Sequence, residues 1–202
     1  MKKYSALALI ELSNVAAGIL TGDAMVKVAP ISVLKAGTVH DGKYLILIGG
    51  SVASVGEAFQ KGLNTGLENV INKVLLPDVH EYVINAVTGK REKCIDAALG
   101  VFETSSVAAT IQAADAAVKG ARVSVVEIRL ADDLGGKAFV LYNGNIEEVT
   151  EALEISRKVL PDPALIINEV LIPNLHCDMA NQLNKSSYFS KNELKKLEGG
   201  EL

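Results

Sequence analysis

The stretch Ala6-Leu-Ala-Leu-Ile-Glu-Leu-Ser-Asn-Val-Ala-Ala-Gly-Ile-Leu-Thr-Gly-Asp-Ala-Met-Val-Lys27 returns 92 residues later as Ala98-Leu-Gly-Val-Phe-Glu-Thr-Ser-Ser-Val-Ala-Ala-Thr-Ile-Gln-Ala-Ala-Asp-Ala-Ala-Val-Lys119. Identical pairs include Glu11/Glu103, Ser13/Ser105, Val15/Val107, Ile19/Ile111, Asp23/Asp115 and Lys27/Lys119, and the match runs without a gap to Val33/Val125. A two-residue insertion then shifts the alignment, so that Gly42-Lys43 meets Gly136-Lys137. Further on, Val74-Leu-Leu-Pro-Asp-Val-His80 meets Val170-Leu-Ile-Pro-Asn-Leu-His176. The chain is a tandem duplication with units at 4–88 and 96–182 and a polar tail at 183–202. A period near 90 residues is too long for a solenoid repeat, so each unit reads as a small domain.

Within a unit the periodicity changes in a fixed order. Leu7 to Leu12 is a short apolar strand, and Ser13 is placed to cap the helix that follows, with Val15, Ala16, Ile19, Ala24 and Val26 on a 3.6-residue repeat. Pro30 stops it. Ile31 to Val39 and Tyr44 to Ile48 read as strands joined by His40-Asp-Gly-Lys43, a hairpin signal. Gly49-Gly50 should end the strand, and Ser51 opens a second helix to about Gly66. The second copy has capping-box spacing at that point, Asn145 with Glu148. Val70 to Leu76 is a fourth strand, and a short helix follows Pro77. The order is βαββαβ with a terminal helix, which predicts an α+β fold of two tandem ferredoxin-like domains. Thr88 to Lys93 is polar and reads as the linker.

Composition removes several classes of function. Hydrophobic residues make up 49% of the 202 and charged residues 22%, enough to pack a core. The net charge is −4 and the pI near 5.5, against a nucleic-acid partner, which would need a basic face to displace counterions. The chain has no Trp and 4% aromatics, so base- or sugar-stacking platforms are not expected. Lys2 and Lys3 before an apolar run imitate a secretory signal, but Glu11 interrupts it and the segment recurs in mid-chain as a strand. No run reaches the roughly 18–20 apolar residues of a membrane span. Two cysteines, Cys94 and Cys177, do not make a disulfide scaffold, and a reducing cytosol is the default.

Residues that could carry chemistry are few. His80 and His176 hold the same repeat position after a strand and Pro, which points to backbone bonding at a strand-to-helix corner. Cys94 and Cys177 are not equivalent and form no CxxC pair. Gly49-Gly50-Ser51 lacks a nucleotide-loop spacing. Asp23 with Lys27 and Asp115 with Lys119 are i,i+4 ion pairs. No catalytic constellation stands out, so an enzyme is not expected.

The repeated string, ending in Leu-Ile-Pro-Asn-Leu-His, resembles the bacterial microcompartment shell (BMC) domain, and two copies in standard order resemble the tandem, non-permuted class. The resemblance covers about residues 4–182 and implies a homotrimer in which six domains imitate a hexamer. Such pseudohexameric tiles join other shell proteins edge to edge in the cytoplasm, around encapsulated enzymes. Lys27 and Lys119 match the family's edge lysine. Where an arginine often follows the proline, this chain has Asp78 and Asn174, so that edge contact should differ.

The resemblance also places the pore at the loop between the second and third strands of each copy: Thr38, Val39, His40, Asp41 and Gly42 in the first, and Asp132, Asp133, Leu134, Gly135 and Gly136 in the second. The insertion falls here. A narrow polar opening would pass small polar metabolites, with electron- or metal-linked passage as a finer variant, and its carboxylates would disfavour anions. Some relatives hold an iron–sulfur cluster on a cysteine in the first loop; here His40 stands there, so no thiolate-held cluster and no cofactor is expected. Three His40 imidazoles meeting one divalent metal is the minor alternative to a plain pore lining. The rival to the shell reading is a ferredoxin-like oligomeric module that senses a metabolite.

Overall fold

The computed structural model describes residues 5–194, so Tyr4 and tail residues 195–202 lie outside it. The first repeat contains β1 (Ala6–Leu12), α1 (Val15–Val28), β2 (Val33–Thr38), β3 (Tyr44–Gly50), α2 (Val52–Gly66), β4 (Val70–Leu76) and α3 (Glu81–Val87). The second contains β5 (Ala98–Thr104), α4 (Val107–Gly120), β6 (Ser124–Leu130), β7 (Ala138–Gly144), α5 (Ile146–Val159), β8 (Ile166–Ile172) and α6 (Cys177–Lys185). Each repeat folds into one antiparallel four-stranded sheet, in the orders β2-β3-β1-β4 and β6-β7-β5-β8. This is the expected split βαβ arrangement, with the Glu-bearing strand in the middle of its sheet.

Local chemistry accounts for most boundaries, and where it differs from the sequence reading the reason is visible. Asn14, one residue after Ser13, caps α1 by accepting from the Ala17 N–H at 2.9 Å. Ser51 caps α2 in the same way through Ser54. The capping box at Asn145 does not form: Glu148 instead accepts from the Arg122 N–H at 2.7 Å, tying α5 to the end of α4. Gly49-Gly50 does not break β3, because both residues stay paired with Leu7 and Ala6 of β1. Gly18 answers to a close approach, since a β-carbon there would lie 2.3 Å from the Tyr44 ring.

One face of each sheet carries two helices, α1 and α2 or α4 and α5, over a core of small and branched residues. The opposite face carries the terminal helix. The linker and the residues that lead from it into β5 are not loose. Buried Asn143 accepts from the Ile95 and Asp96 N–H groups and donates to the Asp96 and Ala98 carbonyls. Arg91 pairs with Glu127 at 2.9 Å and donates to the Leu183 carbonyl. The described part of the tail is likewise docked, with Ser187 Oγ donating to Glu127 at 2.9 Å and the Tyr188 ring under Arg129.

Candidate functional site

The two hairpin loops lie side by side. In the first, His40, Asp41 and Gly42 form an exposed turn, with Asp41 at φ 64° and Gly42 at φ 70°. Two consecutive left-handed residues explain the Asp-Gly choice, since these types tolerate that region best. In the second, Ala131, Asp133, Gly135 and Gly136 all have positive φ, which folds the longer insertion back on itself. Gly136 is buried beneath the first loop, where a β-carbon would stand 3.2 Å from Lys43 Nζ and 3.5 Å from the His40 carbonyl oxygen. Thr38, His40, Asp41, Gly42, Asp132, Asp133 and Gly135 are exposed, while Val39 and Leu134 are half-buried. Val39 packs on the core, and Leu134 lines an apolar groove on the second sheet.

The joint between the repeats is the second feature. Glu11, buried in the middle of the first sheet, crosses to the start of α4 and accepts from the Ala108 N–H at 2.7 Å and Ser106 Oγ at 2.6 Å. A carboxylate at a helix N-terminus meets unsatisfied N–H groups and a favourable dipole. Burial raises the Glu11 pKa above its ordinary value, and the bonds from Ala108 and Ser106 oppose that rise. At the other end of α4, Asp115 accepts from the His80 N–H at 2.8 Å, and Lys119 pairs with Asp115 while donating to the Asp78 carbonyl. The sequence offered one sign of this joint, a charged residue kept at the same place in two apolar strands.

Among the described residues, nothing comparable covers the outer ends of the duplication. Ile111 on α4 is 0% exposed under β4, whereas its counterpart Ile19 on α1 is 58% exposed. Val74 on β4 is 5% exposed, whereas Val170 on β8 is 41% exposed. Leu9, Leu45, Leu47, Val83 and Val87 are buried in one cluster with Ile128 of β6, leaving a cavity of about 110 Å³ beside Leu9, Leu45 and Leu47, while the matching surface of the second copy is an open apolar groove of about 420 Å³. Glu103, the counterpart of Glu11, is part-exposed and reaches only Lys137 at 3.5 Å among the described residues. Lys27 pairs with Asp23, and Asn174, the counterpart of Asp78, is exposed.

The remaining candidates have structural partners. His80 and His176 cap α3 and α6, each accepting through Nδ1 from the N–H two residues on. His176, Cys177 and Asp178 bring their ligand atoms within 4.8 Å of one another, with the His176 Nδ1 already accepting from Asp178. Cys94 directly follows the linker, where burial pushes its thiol pKa up, and Cys177 begins α6. Neither cysteine belongs to a hairpin loop, so the donors there are imidazole and carboxylate, which do not fit a thiolate-held cluster. No helix among the described residues is long and apolar enough to cross a membrane.

Comparison with known proteins agrees with this construction. The BMC domain model matches twice, at residues 6–79 and 98–175. The chain is 33% identical over 178 residues to the bacterial microcompartment shell protein PduT of Citrobacter freundii, covering 88% of this chain and 97% of that one. A crystal structure of a microcompartment protein from Desulfitobacterium hafniense superposes with a TM-score of 0.77 at 34% identity, over 87% of this chain and 98% of that one. A fused permuted hexameric shell protein, MSM0275, shares the fold at 20% identity and a TM-score of 0.57, over 79% of this chain and 85% of its own. With the domain matched twice and most of its length shared with shell proteins, this chain belongs to the BMC-domain family of bacterial microcompartment shell proteins.

Proposed function

We propose that three copies of the chain close head to tail into a pseudohexameric tile with a pore at its centre. One observation carries this reading: the surfaces buried at the joint between the repeats are the same surfaces left uncovered at the two outer ends. Joining the second copy of one chain to the first copy of the next, in the manner of the internal joint, covers Ile19 with the Val170 face. It also brings Glu103 to the first turn of α1 and Lys27 to the Asn174 carbonyl. Such a contact is heterologous, so it either closes into a ring or continues as a fibre.

In the ring, three His40–Asp41 turns alternate with three Asp132–Asp133 turns around the axis. The opening passes small polar metabolites and repels anions. The tiles join other shell proteins edge to edge in the cytoplasm, around enclosed enzymes. Replacing Asp132 and Asp133 together with Asn is expected to raise the flux of an anionic metabolite severalfold relative to a neutral one. Turnover of an encapsulated enzyme in assembled shells measures this ratio, and an unchanged ratio removes the acidic loop as the filter.

Native mass spectrometry from low-salt buffer tests the assembly. The expected species has three times the 21.3 kDa chain mass. A monomer or dimer overturns the tile and puts a metabolite-sensing module first. The same spectrum reads bound metal: the plain pore lining predicts none, with no change on His40→Ala. One metal per trimer, lost in His40→Ala, would make His40 a ligand.

A further inference from the structure

β6 is not a plain copy of β2. It carries an extra residue, Val126, between Val125 and Glu127, and this bulge turns Val126, Glu127 and Arg129 to the face bearing the terminal helices. Arg129 is 9% exposed, yet among the described residues no carboxylate lies within 4.0 Å of its guanidinium. Its contacts are long or uncharged: Nη1 reaches the Ser187 carbonyl at 3.5 Å and Ser187 Oγ at 3.4 Å, and Nη2 reaches the Asp132 carbonyl at 3.4 Å. The guanidinium carbon stands 3.6 Å from the centre of the Tyr188 ring, and Nε has no partner among the described residues. Nearby Glu127 is already engaged, with one oxygen on Arg91 and the other on Ser187. A buried cation without a counter-charge is costly unless something supplies one.

Beside Arg129 is a cavity of about 340 Å³ between the end of α3, β6 and the segment 185–191. Lys35, Lys90, Arg91, Lys185 and Lys191 line it with Arg129, against two carboxylates among the described residues, Glu127 and Asp132. That concentration of cations occurs in a chain whose net charge is −4. The volume is that of a small-molecule site, and a guanidinium fork matches carboxylate and phosphate geometry. The first copy has nothing equivalent: Gly37 stands opposite Leu45 where Arg129 stands opposite Phe139.

We propose that this cavity is a binding site for the carboxylate or phosphate group of a small metabolite, with Arg129 as its central ligand and one site per chain. The site is built within a single chain, so it does not depend on the ring. It lies next to the second hairpin loop through Asp132, and three such sites would surround the pore of a trimer.

Inorganic phosphate and succinate are the probes, each titrated calorimetrically up to about 10 mM, the range of weak millimolar affinity. The titrations use the full chain and a chain stopped after Leu194, because the oxyanion could come from a free metabolite or from the carboxylates at 195–202. Saturable binding, weakened at least about tenfold by Arg129→Gln, is expected. Binding to both chains assigns the oxyanion to a free metabolite; binding to the shortened chain alone assigns it to the protein's own C-terminal carboxylates. Lys35→Ala with Lys191→Ala, both exposed in the wild type, should weaken binding without disturbing the fold. Equal binding by wild type and Arg129→Gln, or no saturation in either chain, overturns the site.

Discussion

Replacing Ile19 with aspartate is expected to reduce the tile to single folded chains. In the isolated chain Ile19 faces solvent, so the fold should lose little; in the ring it takes the place that Ile111 holds beneath β4. An unpaired carboxylate there costs roughly 3 kcal/mol or more per contact, over 100-fold in the association constant, and every contact of the ring carries it. Analytical ultracentrifugation with circular dichroism separates the two effects. The converse substitution, Ile111→Asp, puts the same charge into the interior of the chain and should prevent folding. A trimer that survives Ile19→Asp would mean that α1 does not lie at the subunit contact.

The second large effect concerns Glu11 and its counterpart. Glu11→Ala leaves the first turn of α4 and Ser106 without their acceptor, a loss of about 3 kcal/mol within the chain that denaturant unfolding of single chains detects. Glu103→Ala should leave that unfolding midpoint almost unchanged and instead weaken the trimer, because its acceptor role belongs to the next subunit. The pH dependence separates charge from geometry. Burial raises the folded pKa of Glu11, so the native state keeps a proton that the unfolded chain has released. The contribution of this group to stability is therefore fully present below the unfolded value of about 4.3 and declines as pH rises through the raised folded value. In Glu11→Gln that decline should vanish. An identical pH profile in the two proteins would assign it to other groups.

Much of this architecture is legible in the residues because a duplication is read twice. The strand and helix order follows from period-2 and period-3.6 patterns, and errors at single caps are small because a neighbouring side chain does the same work, as Asn14 does beside Ser13. Gly49-Gly50 misleads for a different reason: glycine signals a turn only where backbone bonds are free to leave, and β1 holds both residues in the ladder. The hairpin loops were locatable from Asp41-Gly42 and from the insertion, since left-handed backbone has its own residue preferences.

The sequence by itself therefore determined the two-fold repetition, the α+β topology of each repeat and the place of the variable loops. All three are local patterns repeated along the chain. It could not show that Glu11 leaves its own domain for α4, that Lys119 reaches the Asp78 carbonyl, or that Arg129 and Arg91 converge beside the tail. Nor could it separate Ile19 from Ile111, identical residues at the same repeat position with opposite burial. Only tertiary structure decides these, because burial and charge pairing depend on which surfaces meet, and a sequence repeat presents the same surface twice while the fold covers it once.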